Sequence, residues 1–333
     1  MTNTRYFLPM PHKVALLVYP GFELLDACGP ASVFAAANHA LGEDGKAAFY
    51  SVEMISSDGG LVASSSGVAL QTRALSRTPP AKVDTLLIVG AEAESLRTVI
   101  AELAVRRWVP RCARAATRFG SVCSGAFVLA SLGLLDGKRV ATHWDACTPL
   151  AEMYPSVIVD PDTLYVMDGK VWTSAGVTTG IDMALAMVSR DVGATIASNV
   201  AKRLVLYARR PGYQSQFSPL LRAQVKGDSP FAELINWLQD NLDRPLDVPS
   251  LAARAGFSER SFYRKFLAAT GKSPAHFIET VRLDAARMLL SQGLSLKAIA
   301  AQVGLSPTDR LSDAFERRFG VTPRLFREMH TSL

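Results

Sequence analysis

One pattern occurs twice between Leu246 and Phe326, and it limits what the C-terminal part of this chain can fold into. The first copy runs from Leu251 as LAARAGFSERSFYRKFLAATGKSPAHF; the second runs from Ile299 as IAAQVGLSPTDRLSDAFERRFGVTPRLF. Gly256 matches Gly304 at an offset of 48. Phe266 matches Phe315 and Gly271 matches Gly320 at an offset of 49, so the second copy gains one residue where its second helix begins. In the first copy Leu251, Ala252 and Ala255 make a short apolar face, and Gly256 ends that helix as a C-cap glycine does. Ser258 suits the N-cap of the next helix, in which Phe262, Phe266 and Leu267 recur on one face. In the second copy Ile299, Ala300 and Val303 precede Gly304. Ser306-Pro307 opens the next helix, and Leu311, Phe315 and Phe319 are its expected buried stripe. Helix, glycine turn, helix is the helix-turn-helix pattern, whose second helix can lie in a DNA major groove. An accidental turn in a plain helical domain is the alternative, and two in-register copies tell against it.

Each copy closes on Phe-x-x-x-x-Gly-x-Ser/Thr-Pro (Phe266 to Pro274, Phe315 to Pro323). In this the stretch from Phe231 to His330 resembles the AraC/XylS family of transcriptional regulators. The resemblance implies seven helices in two helix-turn-helix units, joined here by a helix over 275–292. It also implies promoter DNA and RNA polymerase as partners, with the second helix of each unit entering successive major-groove faces about 34 Å apart. In the first unit Arg260, Tyr263 and Arg264 take the outward positions. Either arginine suits bidentate bonding to guanine, and Ser258 suits a phosphate contact. The second unit offers Thr308, Asp309, Ser312 and Asp313. Many family members carry a basic residue where Asp313 stands, so this unit is expected to read fewer bases. Arg310, Arg317 and Arg318 are its nearby positive charges.

The charge is unevenly spread. Residues 1–191 hold 16 basic and 18 acidic side chains, 192–230 hold six and one, and 231–333 hold 14 and 11. The first two-thirds is therefore no electrostatic nucleic-acid binder, whereas the junction and the C-terminal part suit one. A length of 333 residues makes two domains the first expectation. The division expected is 1–200 for the first domain, 201–230 for a basic linker and 231–333 for the DNA-binding domain. No run of 18 apolar residues and no signal-peptide core is present, so no membrane association is expected and the cytoplasm is the expected location. Cys28, Cys112, Cys123 and Cys147 show no metal or disulfide spacing; no cofactor or metal is expected.

Before the linker, apolar runs alternate with helical periodicity. Val14–Tyr19, Phe49–Ile55, Val83–Val89, Phe119–Cys123 and Val171–Ala175 read as strands, with a loop or hairpin over Ser56–Gly67. Helices are expected over Glu23–Ala37 (with Gly29-Pro30 breaking its start), Glu94–Arg118, Gly125–Leu134 and Gly180–Arg190. The fold class expected is α/β: an open, mostly parallel sheet with helices on both faces, followed by an all-α domain.

Val122-Cys123-Ser124-Gly125 puts a cysteine at a sharp strand-to-helix turn. There a thiol is exposed to helix-start N–H groups that can lower its pKa or bind an anion. Strand carboxyl ends are also where open parallel sheets bind ligands. The stretches YPGFELLDACGP, LLIVGA, VCSGAFVLASLGLLDGKRVATHW and TSAGVTTGIDMAL resemble the PfpI/ThiJ-like branch of the class I glutamine amidotransferase-like superfamily, over about His12 to Arg190. RPGYQSQF at Arg210 is similar to the joining segment of regulators that fuse such a domain to an AraC-type reader. The resemblance implies a pocket of Asp26, Cys123, Ser124 and His143. Hydrolytic members place His directly after the cysteine, where this chain has Ser124, and a thiolate without an adjacent base is a poorer catalyst. The function expected is a dimeric, ligand-responsive transcription regulator and activator, not an enzyme, whose first domain binds a small nitrogen-containing effector. The alternatives are a Cys-dependent hydrolase or isonitrile-hydratase-like enzyme, and a redox sensor acting through Cys123.

Overall fold

The computed structural model describes residues 11–161, 163–206, 212, 231–270, 272–290, 293–319 and 321–331. They form two compact units, one ending at Gln216 and one beginning at Phe217. Most of the basic stretch expected at 201–230, with its RPGYQSQF motif, lies outside the described residues, as do Gly271, Gln292 and Gly320.

The strands of the first unit are β1 (His12–Leu17), β2 (Tyr50–Ser56), β3 (Gly60–Ala63), β4 (Ala69–Ala74), β5 (Thr85–Ile88), β6 (Arg118–Val122), β7 (Arg139–Val140), β8 (Ile158–Val159), β9 (Tyr165–Asp168) and β10 (Val171–Ser174). Eight of them make one sheet in the order β3-β4-β2-β1-β5-β6-β10-β9, and β7 pairs with β8 separately. The inner pairs are parallel; β3 and β9 close the edges antiparallel. β5 and β6 are buried along their whole length, as strands covered on both faces must be. The cover comes from α1 (Leu24–Glu43), α2 (Ala93–Ala101), α3 (Leu103–Ala115), α4 (Ala126–Ser131), α5 (Cys147–Met153), α6 (Thr179–Val192) and α7 (Ala194–Arg203). Helices α1, α6 and α7 pack on one another, and α2 packs on α3 and α4. The chain leaves β1 toward β2 on one side and later returns to build β5 and β6 on the other. The switch point thus lies between β1 and β5.

Three expectations change. Gly29-Pro30 does not break α1, which runs through Pro30. The pair marks a close approach instead: a Cβ at Gly29 would touch Ile181, and one at Gly180 would touch Pro30. The helix expected over 94–118 is two helices, because Glu102 turns extended (ψ 121°) between them. The helix expected to reach Leu134 stops at Ser131, and Gly133 (φ 69°) turns the chain.

At the amino ends of the strands lies a buried polar knot. Arg118, 4% exposed, donates from Nη1 and Nη2 to the two Asp191 oxygens at 2.8 and 2.5 Å and from Nε to Thr85 at 2.8 Å. Tyr50 adds its hydroxyl to Asp191 at 2.7 Å. Burial works against the Asp191 carboxylate, but the Arg118 hydrogen bonds and charge outweigh it and hold its pKa low.

The second unit contains seven helices among the described residues: α8 (Ala232–Gln239), α9 (Val248–Arg254), α10 (Glu259–Thr270), α11 (Pro274–Leu290), α12 (Leu296–Gln302), α13 (Thr308–Phe319) and α14 (Pro323–Thr331). Phe231 meets Phe262 and Phe266 edge-on, and Phe266 meets Phe277, so aromatic edges bind α8, α10 and α11 into one core. Phe315 meets Phe326 edge-on and Phe319 at a tilt.

Replacing Arg118 with Ala leaves the half-buried Asp191 carboxylate without its cation. Urea unfolding should report a loss of about 3–5 kcal/mol for the first unit, and a loss below about 1 kcal/mol would show the knot to be incidental.

Candidate functional site

The carboxyl ends of β1, β5 and β6 converge on Asp26 and Cys123. Asp26 sits in the first turn of α1, fully buried. Its Oδ2 accepts from the Gly90 N–H at 3.0 Å, just past β5. Its Oδ1 accepts from the Val177 N–H at 2.6 Å, just before α6. Cys123 follows β6 with φ 57°, a left-handed conformation that costs a non-glycine residue about 1–2 kcal/mol. Several contacts hold it there. Thr142 donates its hydroxyl to the Cys123 carbonyl at 2.9 Å. The Ser124 hydroxyl donates to the Ala91 carbonyl at 2.8 Å and accepts from the Ala91 N–H at 3.0 Å. Glycine is required on two sides: a Cβ at Gly90 would lie 2.7 Å from Cys123 Cβ and 2.8 Å from Asp26 Oδ2, and one at Gly176 (φ 94°) would lie 2.7 Å from Cys123 Sγ.

Asp26 and Cys123 lie side by side, since a Cβ at Gly90 would meet both, and each shifts the other's proton affinity. Burial, opposed by the two backbone bonds, lifts the Asp26 pKa to about 6. Burial first, and the Asp26 charge second, push the Cys123 thiol well above its ordinary value. The helix-start N–H groups expected to lower that pKa do not prevail. The thiol is thus held toward its protonated form, not as a free thiolate.

Ser124 has its hydroxyl committed to Ala91, so it buttresses the turn. His143 is half-buried, with its ring 5.4 Å from Trp144. Its pKa is lowered by burial, and its charged neighbours are Asp145 and Glu92, not Cys123. Of the four expected pocket residues, contacts of the described residues thus join Asp26, Cys123 and Ser124 but not the His143 imidazole. Leu25, Trp144 and Val177, chain neighbours of Asp26, His143 and Gly176, are more than a third exposed. The sequence reading assigned no role to Gly90, Ala91, Thr142, Gly176 or Val177. Their contribution is backbone shape or a backbone bond, and only the glycines leave a compositional trace.

In the second unit, Asp247 caps α9 by accepting from Ser250 N at 2.8 Å, and Gly256 (φ 70°) turns the chain. Ser258 caps α10, its hydroxyl accepting from Ser261 N at 3.4 Å. Phe262 and Phe266 face inward, while Arg260, Tyr263 and Arg264 are exposed beside one another. Leu267, expected on the buried face, is exposed. On α13, Leu311, Ala314 and Phe315 are buried, Asp309, Arg310, Asp313 and Glu316 are exposed, and Thr308 and Ser312 are half-buried. Phe319 is only half-buried, with Arg287 and Arg318 stacked over its ring. Arg317 and Arg318, expected as positive charges near DNA, are tied to the joining helix: Arg317 to Glu279, and Arg318 to Asp284 at 3.2 Å. The exposed face of α10 is basic, and that of α13 is not.

Sequence profiles of known families match both units. The helix-turn-helix domain profile matches residues 251–329, and the DJ-1/PfpI family profile matches residues 12–190. The HTH-type transcriptional regulator CdhR of Pseudomonas aeruginosa is 30% identical over 308 residues, covering 92% of this chain and 89% of CdhR. The chain belongs to the DJ-1/PfpI family, in its branch of AraC-type helix-turn-helix regulators. An isonitrile hydratase of Pseudomonas putida is 28% identical over 215 residues, covering 62% of this regulator and 83% of the hydratase. A ThiJ/PfpI family protein from Pseudomonas syringae shares the fold with a TM-score of 0.55 and 22% identity, covering 74% of this regulator and 92% of that chain. No helix among the described residues is long and apolar enough to cross a membrane.

The Asp26 shift fixes a pH dependence. The folded chain holds this proton up to about pH 6, whereas the unfolded carboxyl releases it near 3.8. Stability is therefore highest below pH 4 on this group's account and falls by roughly 2–3 kcal/mol as pH rises through 6. Asp26→Asn should flatten that slope in thermal unfolding. It should also speed alkylation of Cys123 by iodoacetamide at pH 8 up to roughly tenfold, followed by peptide mass spectrometry; an unchanged rate would clear Asp26 of raising the thiol.

Proposed function

We propose that this transcriptional regulator binds a small, nitrogen-containing metabolite at the Asp26/Cys123 site and answers it by changing how a dimer of the chain engages promoter DNA and RNA polymerase, as an activator. The Asp26–Cys123 pair carries the reading. A carboxylate held by two backbone N–H groups, against a thiol that stays protonated, is built to exchange hydrogen bonds and not to attack. His143 and Trp144 are the half-open residues beside it. A ligand moves the regulator only by its differential affinity for two states, so the effector must bind one arrangement of this site more tightly than the other. The basic face of α10 supports base reading by Arg260 and Arg264, with Tyr263 beside them and Ser258 at the phosphate. Thr308, Asp309, Ser312 and Asp313 of the second unit contribute less.

The second reading is a Cys-dependent hydratase or hydrolase, favoured by the likeness of the first unit to isonitrile hydratase. The Cys123→Ser protein separates the two. Promoter binding and effector response should persist, measured by gel shift with a metabolite panel. Loss of a turnover that the unaltered chain displays would favour the enzyme. In a gel-shift titration Arg264→Ala should cost about 1–3 kcal/mol of specific binding, and Asp313→Ala less than about 0.5 kcal/mol. Equal losses would remove the asymmetry between the units.

A further inference from the structure

The joining helix α11 carries one side chain that touches both helix-turn-helix units. Arg282 is 9% exposed. It donates from Nε to the Leu242 carbonyl at 3.1 Å and from Nη2 to the Arg244 carbonyl at 2.7 Å. Both carbonyls belong to the link between α8 and α9, where the first unit begins. Against the same guanidinium and the same Leu242 carbonyl lies Gly304, the turn glycine of the second unit. Its φ is 65°, and a Cβ there would lie 2.6 Å from Arg282 Nη2 and collide with the Leu242 carbonyl. Position 304 therefore needs glycine twice over, for its backbone and for its contact. The contact joins segments 40 and 38 residues apart through backbone carbonyls, so it does not depend on which side chains stand at 242 and 244. Burial first, and the charge of Arg310 on α13 second, hold the Arg282 pKa below its ordinary value. Buried on two carbonyls, this arginine is spent inside the protein and not on a phosphate.

We infer that Arg282 and Gly304 form a clasp that sets the phase between the two recognition helices, which makes Arg282 a positioning residue for reading two successive grooves. This rests on the DNA-binding reading above. The two units share α11 as a rod, and a small rotation of one about it would carry α13 off the groove while α10 stays seated. The planar fork of arginine spans two carbonyls along one edge; a lysine ammonium is a single point of charge and cannot.

The test is hydroxyl-radical footprinting of the full chain on a fragment that the unaltered protein selects from random DNA. That protein should protect two segments per protomer about one helical turn apart. Arg282→Lys, which keeps the charge, and Gly304→Ala, which leaves the arginine in place, should each keep the segment under α10 and lose the one under α13. Affinity should fall roughly tenfold as the phosphate contacts of that segment go. Both segments retained at unchanged affinity would overturn the inference. Both fading together would also overturn it, leaving Arg282 as a stability residue. A selected fragment with no footprint from the unaltered protein would sink the DNA-binding reading itself.

Discussion

The Asp26 carboxylate is the tie on which the first unit's site depends. Its two oxygens gather backbone from positions 64 and 151 residues away in sequence. That reach is available because the order in which strands are added reverses between β1 and β5, so loops from both halves meet there. Burying a carboxylate is costly, and two N–H bonds offset that cost without abolishing it. The residue's pKa is therefore raised to about 6, and its charge adds to burial in raising the pKa of the thiol beside it. Cys123 in turn keeps its left-handed backbone because Gly90 and Gly176 leave it room and Thr142 and Ser124 pin its flanks. Strain and electrostatics at this site have one origin, the convergence of three strand ends on a buried acid.

The DNA-binding unit spends arginine differently from what its composition implies. Arg282 caps backbone carbonyls, Arg287 and Arg318 stack on Phe319 and share Asp284, and Arg317 pairs with Glu279. Arg282, Arg287 and Arg318 are structural and Arg317 is an exposed, paired cation, so the positive charge that faces phosphate is smaller than a residue count gives. Of what remains exposed, α10 carries Arg260, Arg264 and Lys265, and α13 carries Arg310 beside the acidic Asp309 and Asp313. The two copies of one sequence pattern have diverged in chemistry while keeping the same helix, turn and aromatic core.

Much of this was legible in the sequence where periodicity and glycine placement carry the information. The duplicated pattern located the turns at Gly256 and Gly304, and the apolar runs located β1, β2, β5, β6 and β10 to within a residue or two, but not β4, β7, β8 or β9. Cys123 at a strand end was readable because a small-residue turn follows an apolar run directly. What could not be read was set by tertiary contact. Pro30 stays within α1 because its position is where α6 approaches. Leu267 is exposed because the core closes on Phe262 and Phe266 without it. The thiol's high pKa follows from burial beside Asp26, and local spacing says nothing of either. The Ser124 hydroxyl is occupied by Ala91, a partner 33 positions away.

Helix α6 is fastened at both ends: the Val177 N–H just before it holds Asp26, and Asp191 in its last turn holds Arg118. Between these anchors it lies against α1 at the Gly29-Pro30 approach. After it the backbone swings at Gly193 (φ 98°) into α7, the last described helix before the second unit. A rod clamped in this way has little slack. Asp26 and Arg118 lie at opposite ends of the strands yet are tied to the two ends of one helix, so α6 cannot slide along its axis without straining both ties.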